Sequence, residues 1–233
     1  MKVVVREERT QDEVIIDDAL ILALYSLAQD RSSQGTVGDR LKAMKLVFLA
    51  NHDMFRQKAK GLNCTFFRWD WGPMSNEVYR AWEQLIYAGF LEEEEDLVVT
   101  PRGKEFAEAF LAEVLSLEEN RFFLMAIRHI ADEWGDKSRS EMLSAVYKVE
   151  ISPVGSPLRM TVADAPRTIH FTEALDEHET KIALRVPEGW LETLALQLNP
   201  KATESVRRAQ EDVREGRVIE GDEIWFRLES SSL

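Results

Sequence analysis

Histidine is the first side chain to consider for chemistry in this chain of 233 residues, because it can ligate a metal or transfer a proton near neutral pH. His52 lies between Asn51 and Asp53, and such a triplet could serve a metal site or an acid–base pair. No other histidine or cysteine stands at metal-ligand spacing from His52, whereas zinc ligands normally come in closely spaced pairs. We therefore favour a polar patch near the end of a helix over a metal site.

The other histidines and the single cysteine give weaker signals. His170 and His178 lie in a segment rich in carboxylates, which suggests either a carboxylate–histidine metal site or a solvated loop, and we favour the loop. His129 is expected at the edge of the core, beside the apolar face of its helix. Cys64 is the sole cysteine, which excludes an internal disulfide, fits a reducing compartment and predicts a small buried residue. The carboxylates near His170 and His178 are Glu173, Asp176, Glu177 and Glu179.

Motifs for nucleotide hydrolysis and for covalent catalysis are missing from the sequence. Gly35 and Gly38 are not followed by the Lys-Ser/Thr pair of a phosphate-binding P-loop. The chain also has no G-x-S-x-G nucleophile elbow. We therefore expect no catalytic residue, no cofactor and no bound metal, and a protein that is not an enzyme.

Charge and hydropathy limit the classes of partner. The formal net charge is -13, which repels nucleic-acid phosphates on average and attracts basic partners. No apolar run approaches the roughly 18 residues that span a bilayer. The valine run at 3–5 is soon followed by charged residues, unlike a signal peptide. The hydrophobic content of 45% is enough for a substantial core. Taken together, these features predict a cytoplasmic protein with no membrane partner.

One stretch, residues 66–79, is expected to organise the elements around it. It begins as an aromatic strand, breaks at Gly72-Pro73 and restarts as a helix capped by Ser75 or Asn76. The helix carries apolar residues at i, i+4, i+7 and i+8 spacing, which predicts a buried face. These residues are Val78, Trp82, Leu85 and Ile86.

The residues after this helix predict a winged-helix-like hairpin. Two short apolar segments flank an acidic turn at 92–96, and a further helix then begins with Thr100 as its N-cap and Pro101 as its first residue. The tip of a DNA-binding wing approaches phosphates and is usually basic, whereas this tip holds four glutamates and an aspartate. We therefore interpret the winged unit as a scaffold for protein interaction.

The rest of the chain predicts a mainly α fold of the α+β class in two domains. Apolar periodicity favours helices at 19–28, 40–55, 106–117, 120–134 and 140–147. Asp17 and Asp18 precede the first helix and suit its N-terminus, where carboxylates meet the positive end of the helix dipole. Pro, Gly and Ser residues cluster at 152–157 and predict a linker. The expected domains are a helical one at 1–155 and a smaller strand–helix–helix module at 156–233.

Three short motifs within the predicted helical domain resemble one family. Residues 45–50 (Lys-Leu-Val-Phe-Leu-Ala) are similar to a K-L-x-Y-F-A helix, and residues 69–79 are similar to a G-P-V-x-x-x-V-Y element. Residues 131–143 resemble a late Y-G-x-x-S-x-x-x-L element. Together these motifs resemble the Panacea (SocA-like) antitoxin domain over residues 14–155. Met74 departs from the valine that the family often has, and the acidic hairpin is also uncommon in it.

The resemblance implies a mostly helical scaffold that performs no catalysis and neutralises a cognate toxin encoded beside it. Trp71, Gly72 and Pro73 are the candidate partner-binding residues of this domain. The sequence leaves open which toxin is bound, and whether neutralisation blocks the toxin's active site or delivers it to a cytoplasmic protease. It also leaves open the oligomeric state, a homodimer included.

The C-terminal segment resembles a toxin-binding tail. A helix is predicted from Pro200 to Glu215, but its narrow stripe of small apolar residues buries too little surface to stabilise it alone. Residues 208–218 resemble the tails of Phd/YefM-type antitoxins, which lay a helix and then a strand on the toxin. The candidate partner-binding residues of the tail are Val206, Ala209, Val213, Arg217, Trp225 and Phe226.

A second class of function remains open on the sequence. The order of strand, helix and helix from Lys181 resembles a ribbon-helix-helix DNA-binding dimer, in which Lys181, Ala183 and Arg185 would face a major groove. With the winged unit, this favours an alternative, a DNA-binding transcription regulator that binds operator DNA and regulates its own operon. A small α+β appendage without such a role is the remaining interpretation of the tail.

Overall fold

The computed structural model describes residues 9–176, 178–187, 189–215 and 217. The predicted mainly α, α+β fold class is confirmed. The α-helices of the described residues are α1 Gln11–Arg31, α2 Arg40–Arg56, α3 Asn76–Tyr87, α4 Pro101–Phe110, α5 Arg121–Trp134, α6 Arg139–Val146, α7 Trp190–Gln197 and α8 Pro200–Arg214. The strands are β1 Ala59–Lys60, β2 Phe66–Trp69, β3 Gly72–Met74, β4 Leu91–Glu93, β5 Leu97–Val99, β6 Glu150–Ile151, β7 Met160–Thr161, β8 His170–Thr172 and β9 Ile182–Ala183. A π-helical turn, Leu111–Leu115, and a 3-10 turn, Glu118–Asn120, join α4 to α5.

Helix α1 is central to the core, as its apolar composition predicts. Every side chain from 19 to 25 is fully buried, and α1 packs against α4 and α5 with further contacts to α3 and α7. The Tyr25 hydroxyl donates to the Ala43 carbonyl at 3.1 Å and accepts from the Trp82 indole N–H at 2.8 Å. These two hydrogen bonds connect α1, α2 and α3 inside the core, where an unpaired hydroxyl or indole N–H would be destabilising.

The start of α1 differs from the prediction. The Thr10 side chain accepts from the Glu13 N–H, and the Glu13 carboxylate accepts from the Thr10 N–H, so the two residues form a capping box. The helix therefore begins at Gln11. Asp17 and Asp18 lie inside the helix and are buried, so their assignment to its N-terminus is wrong. The T-x-x-E pattern at 10–13 is the sequence signal for the true start.

The buried carboxylate of Asp17 connects α1 to the segment after β1. It accepts hydrogen bonds from Arg9 Nη1 at 2.5 Å and from the Asn63 N–H at 2.8 Å. Burial raises the pKa of Asp17 to about 6, against the opposing effect of Arg9. Burial, together with the charge of Asp17, raises the pKa of Asp18 to about 8. Protonation of Asp18 is therefore favoured by the fold.

Helix α3 begins and packs as predicted. Ser75 is the N-cap, and its hydroxyl accepts from the Val78 N–H at 3.4 Å. Val78, Trp82 and Leu85 are buried, whereas Ile86 is half-buried and packs at the edge of the core. The apolar stripe read from the sequence is thus the inner face of this helix.

The winged unit also has the predicted form. Strands β4 and β5 form an antiparallel hairpin, and Thr100 caps α4 with Pro101 in its first turn. A Cβ at Gly103 would lie 2.2 Å from the Phe90 carbonyl oxygen, a separation that main-chain atoms cannot accommodate. Glycine is therefore required where the first turn of α4 passes the end of α3.

Residues beyond the predicted linker complete the helical core. Strand β8 pairs antiparallel with β2, and β9 pairs parallel with β1. The Thr172 hydroxyl accepts from Asn51 Nδ2 and from the Phe66 N–H, both at 3.0 Å. It also donates to the Cys64 carbonyl at 3.2 Å. Thr172 is fully buried, so β8 supplies hydrogen bonds that the surrounding core groups need.

The compact units therefore differ from the predicted domains. The first unit is Met1–Leu198 and the second is Asn199–Leu233, in place of a boundary at 155. Helix α7 packs on α1 and buries Leu194. The strand predicted to begin at Lys181 contains only the two residues of β9. The strand–helix–helix order is present, but β9 and α7 belong to the first unit and α8 to the second. No helix within the described ranges is long and apolar enough to cross a membrane.

Candidate functional site

An exposed aromatic groove surrounds the turn between β2 and β3, and we call it the tryptophan groove. Trp71 is 63% exposed and Trp69 is 44% exposed, although side chains of this size gain most from burial. The groove has a volume of about 70 Å³. Its lining residues are Arg40, Leu41, Met44, Lys45, Trp69, Trp71, Gly72, Pro73, Met74 and Tyr79.

Gly72 and Pro73 shape the turn that presents Trp71. The register pairs Trp69 with Gly72, which leaves Asp70 and Trp71 as a two-residue turn. Gly72 has a φ of +90°, a conformation that favours glycine over residues with a Cβ. Gly72 and Pro73 are both buried, so Trp71 is the one residue of the predicted triplet with an exposed side chain. The other two position it.

Lys45 supports the turn from α2. Its side chain is almost fully buried, and Nζ donates to the Pro73 carbonyl at 2.6 Å. Burial, with a smaller effect from the nearby Arg68 charge, lowers the pKa of Lys45 to about 7. This role was not predicted from the sequence, although a single lysine within the apolar run at 44–50 is the signal for a buried cation with a specific acceptor.

Arg40 forms the wall of the groove next to α3. Its guanidinium makes a bidentate pair with Glu93 of β4, with N–O distances of 2.5 and 2.6 Å. Hydrogen bonding to Arg40 lowers the pKa of Glu93. The guanidinium carbon also lies 5.8 Å from the Tyr79 ring centroid and 5.5 Å from that of Trp82. The acidic hairpin therefore fixes the orientation of a cation that faces the groove.

The tip of the turn is held from the opposite side. The Tyr147 hydroxyl donates to the Asp70 carbonyl at 3.4 Å, and Arg167 pairs with the Asp70 carboxylate. Arg68 lies over the Tyr147 ring at 5.4 Å and donates to the Val162 carbonyl at 3.0 Å. Residues from 147 to 167 thus brace the turn, so the exposed indole of Trp71 is presented on a fixed backbone.

The surface of the β4–β5 hairpin is negatively charged, as the sequence predicts. The four glutamates at 92–95 are all exposed at the tip of the β4–β5 hairpin. Arg40 neutralises one of them, Glu93, and the remaining carboxylates face solvent. Phosphate groups would be repelled here, which disfavours this hairpin as a DNA-binding wing.

The predicted contacts of the tail lie in the second unit. Ala209 and Val213 are exposed on α8, with Val213 at 63%. Val206 also belongs to α8. Trp225 and Phe226 lie outside the described residues. Helix α8 therefore presents two exposed apolar side chains one turn apart.

Arg217 lies just after α8 and is already paired. Its guanidinium contacts the Asp212 carboxylate at 2.7 Å and also pairs with Glu215. Exposed pairs of this kind contribute only about 0–1 kcal/mol each.

The residues considered for metal or acid–base chemistry do not converge. Within the described ranges, no group of three or more His, Cys, Asp or Glu side chains is placed to hold a metal ion. Asn51 and His52 are buried instead of forming the expected polar patch, and Asn51 donates to the Cys64 carbonyl at 2.8 Å. His129 is exposed at 3.4 Å from Glu133, not at the edge of the core. Cys64 is buried as predicted.

Comparison with protein-family models, with curated proteins and with solved structures finds no match. Function is therefore inferred from the tryptophan groove, from α8 and from the motifs of the sequence.

Proposed function

We propose that this chain is an antitoxin that neutralises a toxin encoded beside it by direct protein–protein binding. The observation that carries the proposal is Trp71, 63% exposed on a turn that is braced from two sides. Binding hot spots are enriched in Trp, Tyr and Arg, and interface cores are also enriched in Met. The groove contains residues of all four types, namely Arg40, Met44, Trp69, Trp71 and Tyr79.

The size of the groove favours a protein partner over a small molecule. Pockets for small molecules usually enclose about 300–1,000 Å³, whereas the tryptophan groove has a volume of about 70 Å³. A space of this size suits one side chain of a partner, with Trp69 and Trp71 packing around it. Anchor residues in protein interfaces are buried in such local pockets.

The assignment of the partner as a toxin rests on the resemblance of residues 45–50, 69–79 and 131–143 to the Panacea domain. Exposed Ala209 and Val213 on α8 support a second contact, in line with the resemblance of the tail to Phd/YefM-type segments. The net charge of -13 favours a basic partner through long-range attraction.

The test is co-expression with the neighbouring reading frame as the toxin, followed by measurement of the Kd of the purified pair. Trp71→Ala is expected to raise the Kd by about 30-fold or more, as loss of a hot spot of about 2 kcal/mol would. Deletion of residues 200–233 is expected to abolish rescue. Tyr87→Ala is the matched control, because Tyr87 is 57% exposed on α3 and does not line the groove.

Each outcome bears on a different part of the proposal. Circular dichroism establishes that the variants are folded, which is expected for the deletion because the first compact unit ends at Leu198. Equal Kd values for Trp71→Ala and Tyr87→Ala would exclude the groove as the binding site. Rescue by the truncated chain at equal expression would assign the binding to the groove alone. A neighbouring product that leaves cell growth unchanged would overturn the antitoxin assignment.

A further inference from the structure

A second pocket, which we call the His52 pocket, lies at the C-terminal end of α2. Its volume is about 340 Å³, within the range of about 300–1,000 Å³ that is usual for small-molecule sites. Three cations, Arg56, Lys58 and Arg159, line it together with one carboxylate, Glu150, in a chain whose net charge is -13. This pocket shares no lining residue with the tryptophan groove.

His52 forms part of the wall and has no hydrogen-bond partner there. His52 as a residue is 7% exposed, and its two imidazole nitrogens are buried and have no hydrogen-bond partner within the described residues. Its ring stacks on Phe48 with a centroid distance of 5.5 Å, so packing fixes its orientation. A buried polar group without a partner is destabilising. A ligand in the pocket that hydrogen-bonds to His52 would remove this cost.

The protonation state of His52 leaves both a donor and an acceptor for that ligand. Burial, with a further effect from the Arg56 charge, lowers the pKa of His52 to about 4. The main chain of Glu150 opposes this shift. The imidazole is therefore neutral near pH 7, with one N–H donor and one acceptor nitrogen.

The cations of the pocket are largely uncommitted. Arg56 and Arg159 are exposed and form no ion pair within the part of the chain that the structure describes. Lys58 lies 3.9 Å from Glu179, which is a long and partly exposed pair. Lys58 also has a φ of +56° just after α2, where glycine is the usual residue. The backbone thus accepts strain at a position that brings a lysine to the pocket.

We propose that the His52 pocket binds a small phosphate-bearing molecule. A phosphate group carries a charge of about -1.5 to -2 at pH 7. Three cations and one carboxylate give the pocket an excess of positive charge, which complements the negative charge of a phosphate group. Arg56 and Arg159 donate paired N–H groups to phosphate oxygens, and the neutral imidazole adds a hydrogen bond. Phe55, which is half-buried in the wall, offers an apolar surface for the remainder of the molecule.

The test is isothermal titration of the full chain with inorganic phosphate and with adenosine monophosphate. Saturable binding with a Kd in the millimolar range or tighter is expected for at least one of these probes. Arg159→Gln is expected to weaken it at least tenfold. His52→Phe is expected to weaken it while leaving the fold intact, because the new ring keeps the stacking on Phe48 and removes two nitrogens that have no partner.

The matched control is Arg128→Gln, which removes an exposed arginine on α5 that does not line the pocket. Unchanged Kd for this variant, with weakened binding for Arg159→Gln and His52→Phe, would support the proposal. Absence of saturable binding to both probes would overturn it. Equal Kd values for wild type, Arg159→Gln and His52→Phe would also overturn it, since binding would then occur elsewhere. The readout is independent of toxin binding, so failure here leaves the proposed function untouched.

Discussion

Replacing Thr172 with valine tests whether residues beyond 155 belong to the core of the first unit. Valine has nearly the same shape, so Thr172→Val removes the hydroxyl without creating a large cavity. The Phe66 N–H then loses its side-chain acceptor, and the Asn51 amide keeps only the Cys64 carbonyl. A buried donor left unpaired costs about 1–3 kcal/mol. With the loss of the second hydrogen bond, we expect the free energy of unfolding to fall by about 2–3 kcal/mol.

The assay is equilibrium unfolding in urea, followed by fluorescence and by circular dichroism. The midpoint is expected to fall while the slope m is unchanged, since the surface exposed on unfolding stays the same. Thr193→Val is the matched control, because Thr193 is exposed on α7 and its hydroxyl bonds only to the Gly189 carbonyl in the preceding turn. Its effect should remain within about 0.5 kcal/mol.

The result that would refute the reasoning is equal midpoints for Thr172→Val and wild type. Strand β8 would then not be packed against β2 in solution. A chain that ends at residue 155 gives an independent measurement. It is expected not to fold cooperatively, because it lacks β8, β9 and the buried Leu194 of α7. A cooperative transition for this fragment would restore the predicted domain boundary.

Three further predictions concern the core, the turn and the pH dependence of stability. Trp82→Ala should lower the free energy of unfolding by about 3–5 kcal/mol through cavity formation, whereas Trp71→Ala, at an exposed position, should change it little in the same urea titration. Gly72→Ala should lower the free energy of unfolding by about 1–2 kcal/mol through backbone strain at φ +90°. A steric clash should add nothing, because the nearest atom to the added Cβ is 3.6 Å away, in ordinary contact. An unchanged melting temperature would contradict this prediction. The folded state holds the Asp18 proton up to about pH 8, against 3.8 as the ordinary pKa, so wild-type stability should fall as pH rises through that window. Between about pH 6, the pKa of Asp17, and pH 8, Asp18→Asn should remove this dependence. Parallel stability–pH curves for the two proteins in that range would show that Asp18 is not the group responsible.

Local signals in the sequence were sufficient to predict the helices and the hairpin of the winged unit. The cap of α3 was predicted as Ser75 or Asn76 and that of α4 as Thr100, because these side chains can accept hydrogen bonds from the free N–H groups of the first turn. Ser75 and Thr100 are the caps in the structure. The stripe that contains Trp82 was predicted from helical periodicity and is buried. Helix caps and apolar stripes involve residues within one or two turns of each other. All the interacting residues therefore stand close together in the sequence, where the pattern can be recognised.

Features that depend on distant residues could not be predicted in this way. Strands β8 and β9 have three and two residues, too few for an alternating pattern, and their partners lie more than a hundred positions earlier. Pro73 was assigned to the binding surface, but Lys45 lies beneath it and it is buried. The His52 pocket draws on residues from 52 to 171, so its cations do not form one run in the sequence.

The parallel pairing of β1 with β9 has a consequence for synthesis of the chain on the ribosome. Ala59 is synthesised long before its partner Ile182. One edge of β2 likewise remains unpaired until Thr172 of β8 has been synthesised. Non-local pairing slows folding, and an unpaired strand edge invites association with other chains. Nascent chains and prematurely terminated products that end before β8 therefore expose two open strand edges. They are expected to depend on chaperones and to be the forms that quality-control proteases remove first.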